Sequence, residues 1–325
     1  MPSHPLKNPF EIPKERDPNH KAFVKSVLGK GNSAPKIPKE NFGAEADLVL
    51  STEDQKKIED ERIFSKIITR ESRALRRFFG KEIHVPPLPP EITAEKIRDW
   101  ETLDLHLHYL PREELVEINR DDNGTIVTVQ PKNYPGWKEK PQFRFFNLIE
   151  RGKLPPESAH LFGGWVLIEA RPKPAYDKGN QKYPNDFLGP VLEELNKKGI
   201  IKQTYNDRET LLDSDSRFGI SPNELNKRQV KKAIAQAMRI PGGFSLPRAI
   251  EFNILGNLYY PEWGDMNTSE WFGDRYDENE RILCLLGGRS NEGGLSYIDS
   301  INGNDRYTGI GFRVMARFSP DQAKT

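Results

Sequence analysis

Residues 285–318 read LLGGRSNEGGLSYIDSINGNDRYTGIGFRVMARF. Both ends are β-branched, aromatic and apolar, which is the composition of strands. The middle is Asn, Asp, Ser, Tyr and Thr, broken by Gly287, Gly288, Gly293, Gly294, Gly303, Gly309 and Gly311. Repeated glycine excludes a continuous helix and permits the φ > 0 turns that irregular loops need. A polar middle cannot fill a core, so the ends must anchor it to a core built elsewhere. Such a tract folds as strands framing a solvent-facing surface. Tyr gives contact area at low entropic cost, while Ser, Asn and Gly adapt their hydrogen bonds. That mix suits a binding surface as well as a plain solvated loop.

The rest of the chain bounds the architecture. Its 325 residues suffice for one large domain or two modest ones. Hydrophobic residues at 35% and charged residues at 30% are polar for one compact core, which predicts a folded body with a solvated extension. Residues 1–50, rich in Pro and Lys without periodicity, are expected to be that flexible extension. Residues 51–95 read as a helix followed by the proline-rich linker HVPPLPPEIT. Ser51 and Asp54 mark the helix start, Gly80 its end, and Ile63, Ile67, Ala74 and Phe78 its apolar face. Residues 96–325 read as one further domain. Its predicted elements are a strand over 165–170, helices over DFLGPVLEELNKKG and SPNELNKRQVKKAIAQAMRI, and short late strands. Helices early and an irregular β region late predict an α+β fold.

Composition and motifs narrow the chemistry. Lys and Arg number 49 and Asp and Glu 48, so the net charge of +1 gives no global pull toward nucleic acid or membrane. The basic side of the first helix, from Lys66 to Lys81, reads as a solvated face; an interaction module for nucleic acid through it is the alternative, and nucleic acid is not the expected partner. No window approaches the ~18 apolar residues of a membrane span. The N-terminus lacks the apolar stretch of a secretory signal, and a soluble, cytoplasmic protein is expected. The lone cysteine, Cys284 in RILCLL, excludes an internal disulfide and reads as a buried, inert thiol. DLHLHYL would place Asp104, His106 and His108 on one strand face, as in a zinc-binding H-x-H pair. No third ligand cluster stands out, and structural histidines are expected. Glu251, Glu262, Asp265, Glu270, Asp274 and Asp277 could hold Ca²⁺, but no Asp-x-Asp-x-Asp loop supports it, so they read as loop acids. Phosphate-loop, dinucleotide and nucleophile-elbow motifs are absent from the sequence. No catalytic residue, metal ligand or cofactor is assigned.

Several ordered segments resemble a known family. FSLPRAIEFNIL is similar to the RLPTEAEWE segment of the formylglycine-generating-enzyme (sulfatase-modifying-factor) type of C-type lectin fold. TSEWFGDRYDENERILCLLGGRS resembles its VWEW…D.Y…VLRGGSW segment, and GIGFRVMARF its closing GFR strand. GGWVLIEARPKPAYDKGNQKYPNDFLGPVLEELNKKG resembles one branch, the variable proteins of diversity-generating retroelements found in bacteria of the candidate phyla. The likeness spans about residues 161–318.

The resemblance implies a C-type lectin-like domain over 96–325 and a choice of activity. Enzymes of this fold use a cysteine pair with copper, and related iron enzymes an H-x-x-x-H-x-E motif. This chain has one cysteine and lacks the motif. The binding branch is therefore implied, with a modifying enzyme using His106, His108 or Cys284, or a fixed interaction module, as alternatives. In that branch a segment from GG to GFR, here about 287–313, is diversified by adenine-directed mutagenesis templated by a nearby repeat and a reverse transcriptase. Asn291, Tyr297, Asp299, Ser300, Asn302, Asn304, Tyr307 and Thr308 belong to the set that changes at adenines of an Asn codon can reach. Glu292 requires another template codon or a fixed position. These nine residues are expected to line one exposed face and contact an unidentified macromolecular ligand. Leu295, Ile298, Ile301, Ile310 and Phe312 would hold the scaffold, with Trp271 and Phe272 beneath and Tyr260 and Trp263 at the rim. Arg289 and Arg313 are expected to be framework.

Overall fold

A computed structural model describes residues 51–203 and 212–318. The extension expected over 1–50 lies outside the described residues, as do 319–325. The first helix, α1 (Thr52–Phe79), begins and ends where its caps predict. Ser51 Oγ accepts the Asp54 N–H at 3.1 Å, and Gly80 (φ 70°) donates its N–H to Arg76 O at 2.9 Å. Its second half buries Ile67, Leu75, Phe78 and Phe79, whereas its first turns stand exposed, Ile58 at 52%. Phe78 packs on Gly136, where a Cβ would come within 2.4 Å of the Phe78 Cα, so only glycine fits.

The elements that follow are α2 (Ala94–Glu101), β1 (Leu105–Glu114), β2 (Val116–Arg120), β3 (Ile126–Pro131), α3 (Phe143–Glu150), β4 (His160–Glu169) and α4 (Gly189–Lys197). After residue 212 come α5 (Pro222–Leu225), α6 (Arg228–Ala237), α7 (Ala249–Leu258), β5 (Ser269–Glu278), β6 (Arg281–Gly287), β7 (Ile298–Asn302), β8 (Ile310–Phe312) and β9 (Met315–Phe318). The protein is an α+β fold with three sheets, ordered β1-β4-β9, β2-β3 and β7-β6-β5-β8. Among the described residues no helix is long and apolar enough to cross a membrane.

Local patterning misjudged three segments. The helix read over SPNELNKRQVKKAIAQAMRI is two. Ser221 and Glu224 close a capping box around α5, Asn226 Nδ2 donates to Pro222 O at 3.0 Å, and Lys227 turns extended before α6 starts. The strand read over 165–170 runs from His160, because all of it pairs antiparallel with β1. The segment GIGFRVMARF serves two sheets: β8 lies parallel to β5, while β9 pairs antiparallel with β4. Its apolar ends and those of RILCLLGG are therefore not neighbours, since β5 lies between β6 and β8.

The main hydrophobic core runs from Ile67 to Phe318 and includes Val85 and Ile92, so it crosses the 95/96 boundary; Tyr183, Leu212 and Phe218 form a small second cluster. Buried ion pairs stitch its sheets. Arg217 grips Glu169 of β4 and also donates to Asp186 at 2.6 and 2.7 Å. Arg313, fully buried after β8, donates to Glu270 of β5 at 2.9 and 3.1 Å and to the carbonyls of Glu169 and Arg171 at 2.7 Å. Its framework role follows from those four bonds. Glu251 and Asp274 are buried too, against Arg317 and the Ala249 N–H. Glu251, Glu270 and Asp274 are thus framework carboxylates, not loop acids.

Candidate binding site

The β7-β6-β5-β8 sheet carries a cavity of about 560 Å³. Its geometry starts from strand alternation. On β7, Asp299 and Ile301 face the cavity together with Tyr297 just before the strand, while Ile298 is buried and Ser300 points to the other side. There Ser300 Oγ meets the Tyr276 hydroxyl at 2.8 Å. Antiparallel pairing of β7 with β6 sets Asp299 opposite Leu286, which also lines the cavity. Gly287 makes this close approach possible: a Cβ there would meet Tyr297 O at 2.1 Å and the Phe272 ring at 2.7 Å.

The structure brings four of the nine sequence-derived residues to the cavity: Tyr297, Asp299, Tyr307 and Thr308. Asn291 and Glu292 sit on an exposed 3-10 turn, where Gln142 Nε2 donates to Glu292 O at 2.6 Å. Asn302 ends β7 and Asn304 lies in the turn that follows, its N–H donating to Asn302 Oδ1 at 2.9 Å and its side chain accepting from Asn223 Nδ2 at 2.7 Å. Ser300 is turned away by the pleat. The nine do not share one face, because period-two alternation cannot present Asp299 and Ser300 together.

Other lining residues come from far away in sequence: Tyr176 and Lys178 after β4, Asn267 before β5, and Arg289 after β6. Their walls are tied together. Tyr176 N donates to Asn267 Oδ1 at 2.7 Å, and Arg289 Nε donates to Asn267 O at 3.1 Å. Gln181 is buried; its carbonyl accepts from Asp177 N and Gly179 N at 3.0 Å, and its amide donates to Thr308 O. Tyr176 and Thr308 hydroxyls lie 3.3 Å apart. Arg289 is therefore a cavity residue, not buried framework. The turn-forming run YDKGN was the one local signal for this wall. Tyr260 and Trp263, expected at the rim, are instead buried, as are Trp271 and Phe272.

The cavity offers three phenol rings, amide and hydroxyl groups, and the cations of Lys178 and Arg289. Its carboxylate, Asp299, is already engaged by Arg144 at 2.7 Å and by the Ser300 N–H at 2.6 Å. Tyr297 donates to Asp299 Oδ2 at 3.3 Å, and burial followed by that carboxylate pushes its hydroxyl up to about 12. The phenol stays protonated and able to donate. Cys284 is buried on β6, and burial pushes its thiol up to about 11, far from thiolate reactivity.

The histidine pair forms a separate, interior cluster. His106 and His108 alternate onto one face of β1, but Asp104 stands outside the strand at φ 54° and binds Arg171 at 2.9 Å. Both rings converge on the Tyr260 hydroxyl, His106 Nδ1 at 3.0 Å and His108 Nε2 at 2.6 Å. His108 Nδ1 lies 3.2 Å from Glu71 of α1, which also accepts from Tyr259 at 2.7 Å. Burial opposes ionisation of Glu71, but His108, Arg70 and Tyr259 outweigh it and hold the carboxyl at about 2. Burial, with His108 and Arg70, pulls His106 down to about 4. Among the described residues no group of three His, Cys, Asp or Glu side chains could hold a metal ion.

This cluster predicts acid sensitivity. Between about 4 and the ordinary 6.5, the unfolded chain protonates His106 while the folded one does not. Stability therefore falls as pH drops through that window, and Glu71 extends the loss below 4.5. Urea midpoints measured from pH 7 to pH 4 should decline, with a shallower decline in His106→Gln. An equal slope in the variant would remove His106 from the explanation.

The chain matches no family model and no curated protein. Among solved structures, a chain described as "Crystal Structure of CarF" aligns over 67% of this chain and 100% of its own length, at 11% identity and a TM-score of 0.34. A likeness of that size assigns neither fold type nor activity.

Proposed function

We propose that this is a ligand-binding protein of the diversity-generating-retroelement variable type, built on a C-type lectin-like domain of the formylglycine-generating-enzyme kind. The observation that carries the reading is the cavity's division of labour. Tyr297, Asp299, Tyr307 and the buried Thr308, all reachable by adenine-directed change, line it; of the expected scaffold, Leu295, Ile298 and Phe312 are buried away from it, while Ile301 and Ile310 share its wall. The lectin-type part rests on the motif resemblance: the FSLPRAIEFNIL segment leads into α7, GGRS follows β6, and GFR lies on β8 and its end. A surface that must accept many side chains needs a frame whose order does not depend on them.

Sequencing the DNA beside the gene tests the reading. A near-copy of the codons for residues 287–313, close to a reverse-transcriptase gene, is expected, with mismatches at template adenines in the codons of those four residues. Absence of such a repeat throughout the genome would leave a fixed binding module. The physical counterpart is tolerance. Serine at Tyr297, Asp299 or Tyr307 should change stability by no more than about 1 kcal/mol in denaturant titrations. Serine at Ile298 or Phe312 should cost about 3 kcal/mol or more, because it empties core and buries a hydroxyl. Equal costs at both sets would contradict the division of labour.

A further inference from the structure

Away from that cavity, a larger recess of about 890 Å³ runs between α1 and α2. One wall carries Arg62, Lys66, Arg70, Arg73 and Arg77 of α1, and the other Arg98 of α2. Ile63, Ile67, Ala74 and Ile97 form an aliphatic floor, and Glu101 is the one carboxylate in the lining. The α1 cations recur at intervals of four, four, three and four residues, which keeps them in one narrow stripe. At 1.5 Å per residue that row is about 22 Å long.

Like charges at these spacings destabilise a helix, so the row works against the fold that carries it. Acidic neighbours offset only part of it. Arg70 holds Glu71 at 2.9 Å, and Arg62 and Arg98 reach Glu59 and Asp60 at 3.7 and 3.6 Å. Lys66, Arg73 and Arg77 are exposed and have no carboxylate partner among the described residues. The whole chain carries a net charge of only +1, so this is a local concentration and not the face of a basic protein. Sequence reading took the row for a solvated face; the second wall and the apolar floor were not visible to it.

The geometry points to a single-stranded nucleic acid lying in this recess, its phosphates along the α1 row. Arginine supplies four of the row's five cations, and its planar fork matches phosphate oxygens. A single-file row suits a polymer that carries a charge on every unit. A duplex presents its phosphates on a convex surface, whereas a furrow with a cationic wall and an aliphatic floor takes one strand with its bases over the floor. Tyr259, partly buried in the lining, is the one ring there on which a base could stack, and stacking of that kind is tolerant of base sequence.

The test is fluorescence anisotropy of a labelled oligothymidine with the full chain across a salt series. Four phosphate contacts, from Arg62, Lys66, Arg73 and Arg77, give a slope of log affinity against log salt of about −2.8, at about −0.7 per contact, because Arg70 is held by Glu71 and the Leu107 carbonyl. The triple variant Lys66→Ala, Arg73→Ala, Arg77→Ala, whose fold is checked by circular dichroism, should lose about 2 units of that slope and at least about tenfold in low-salt affinity. Variants of Tyr297 and Tyr307 should bind the oligonucleotide unchanged, which separates this site from the cavity. Absence of binding at low salt, unchanged affinity in the triple variant, tighter binding of duplex, or equal binding of polyglutamate would each overturn the proposal.

Discussion

Arg217→Met is expected to lower the unfolding free energy by about 3–5 kcal/mol. The guanidinium is fully buried and is held by both oxygens of Glu169 and both of Asp186, with its Cζ 4.5 Å from the Tyr183 ring centre. Methionine fills the volume but leaves Glu169, itself fully buried, without its main counter-charge. The loss comes from that stranded carboxylate more than from the missing attraction. The double variant Arg217→Met, Glu169→Met should therefore be more stable than the single one, because it removes the buried charge as well. Thermal melting would show the single variant about 10 °C below the parent, and the double variant between them. A double variant less stable than the single one would mean that the pair contributes net attraction.

Trp263→Ala is expected to cost at least as much, about 3–5 kcal/mol from the emptied volume alone. The indole is fully buried, stacks on Tyr260 at 4.4 Å and Phe252 at 5.3 Å, and lies 3.9 Å beneath the Arg313 guanidinium. Its Nε1 donates to Ala170 O at 3.1 Å, so alanine also orphans a buried carbonyl. Trp263→Phe, which keeps most of the stacking area and loses the donor, should cost roughly half as much. The damage should reach the polar tract. Gly264 packs so closely on Leu295 that a Cβ there would lie 2.8 Å from the Leu295 N, and Leu295 is the buried anchor of the turn before β7. Hydrogen exchange over residues 290–300 should quicken in Trp263→Ala and stay near the parent's in Trp263→Phe.

The two arginines that follow glycine motifs show where local reading ends. Arg289 and Arg313 look alike in sequence, and both read as framework. Arg313 is framework because Glu270 of β5, the Glu169 carbonyl of β4 and the Arg171 carbonyl just after it converge on it from more than 40 residues away. Arg289 follows Gly288, whose φ of 81° turns the chain outward, and it reaches the cavity wall at Asn267. The same gap separates Trp271 and Phe272, rightly placed in the interior, from Tyr260 and Trp263, wrongly placed at a rim. Amphipathic period and aromatic content tell that a residue wants burial; they do not tell which neighbour supplies it.

The sequence by itself determined the local elements: the α1 caps at Ser51 and Gly80, the α5 capping box, the β character of RILCLL, and glycine at the tight positions. These follow from forces acting within a few residues, namely capping hydrogen bonds, side-chain period and φ freedom. Only the tertiary structure decided which polar residues meet. Tyr176 and Thr308 are 132 positions apart, Arg217 and Glu169 48, and Glu71 and Tyr259 188. It also decided that alternation on β7 admits Asp299 to the cavity and sends Ser300 behind it, because register is fixed by pairing with β6 and not by β7 itself.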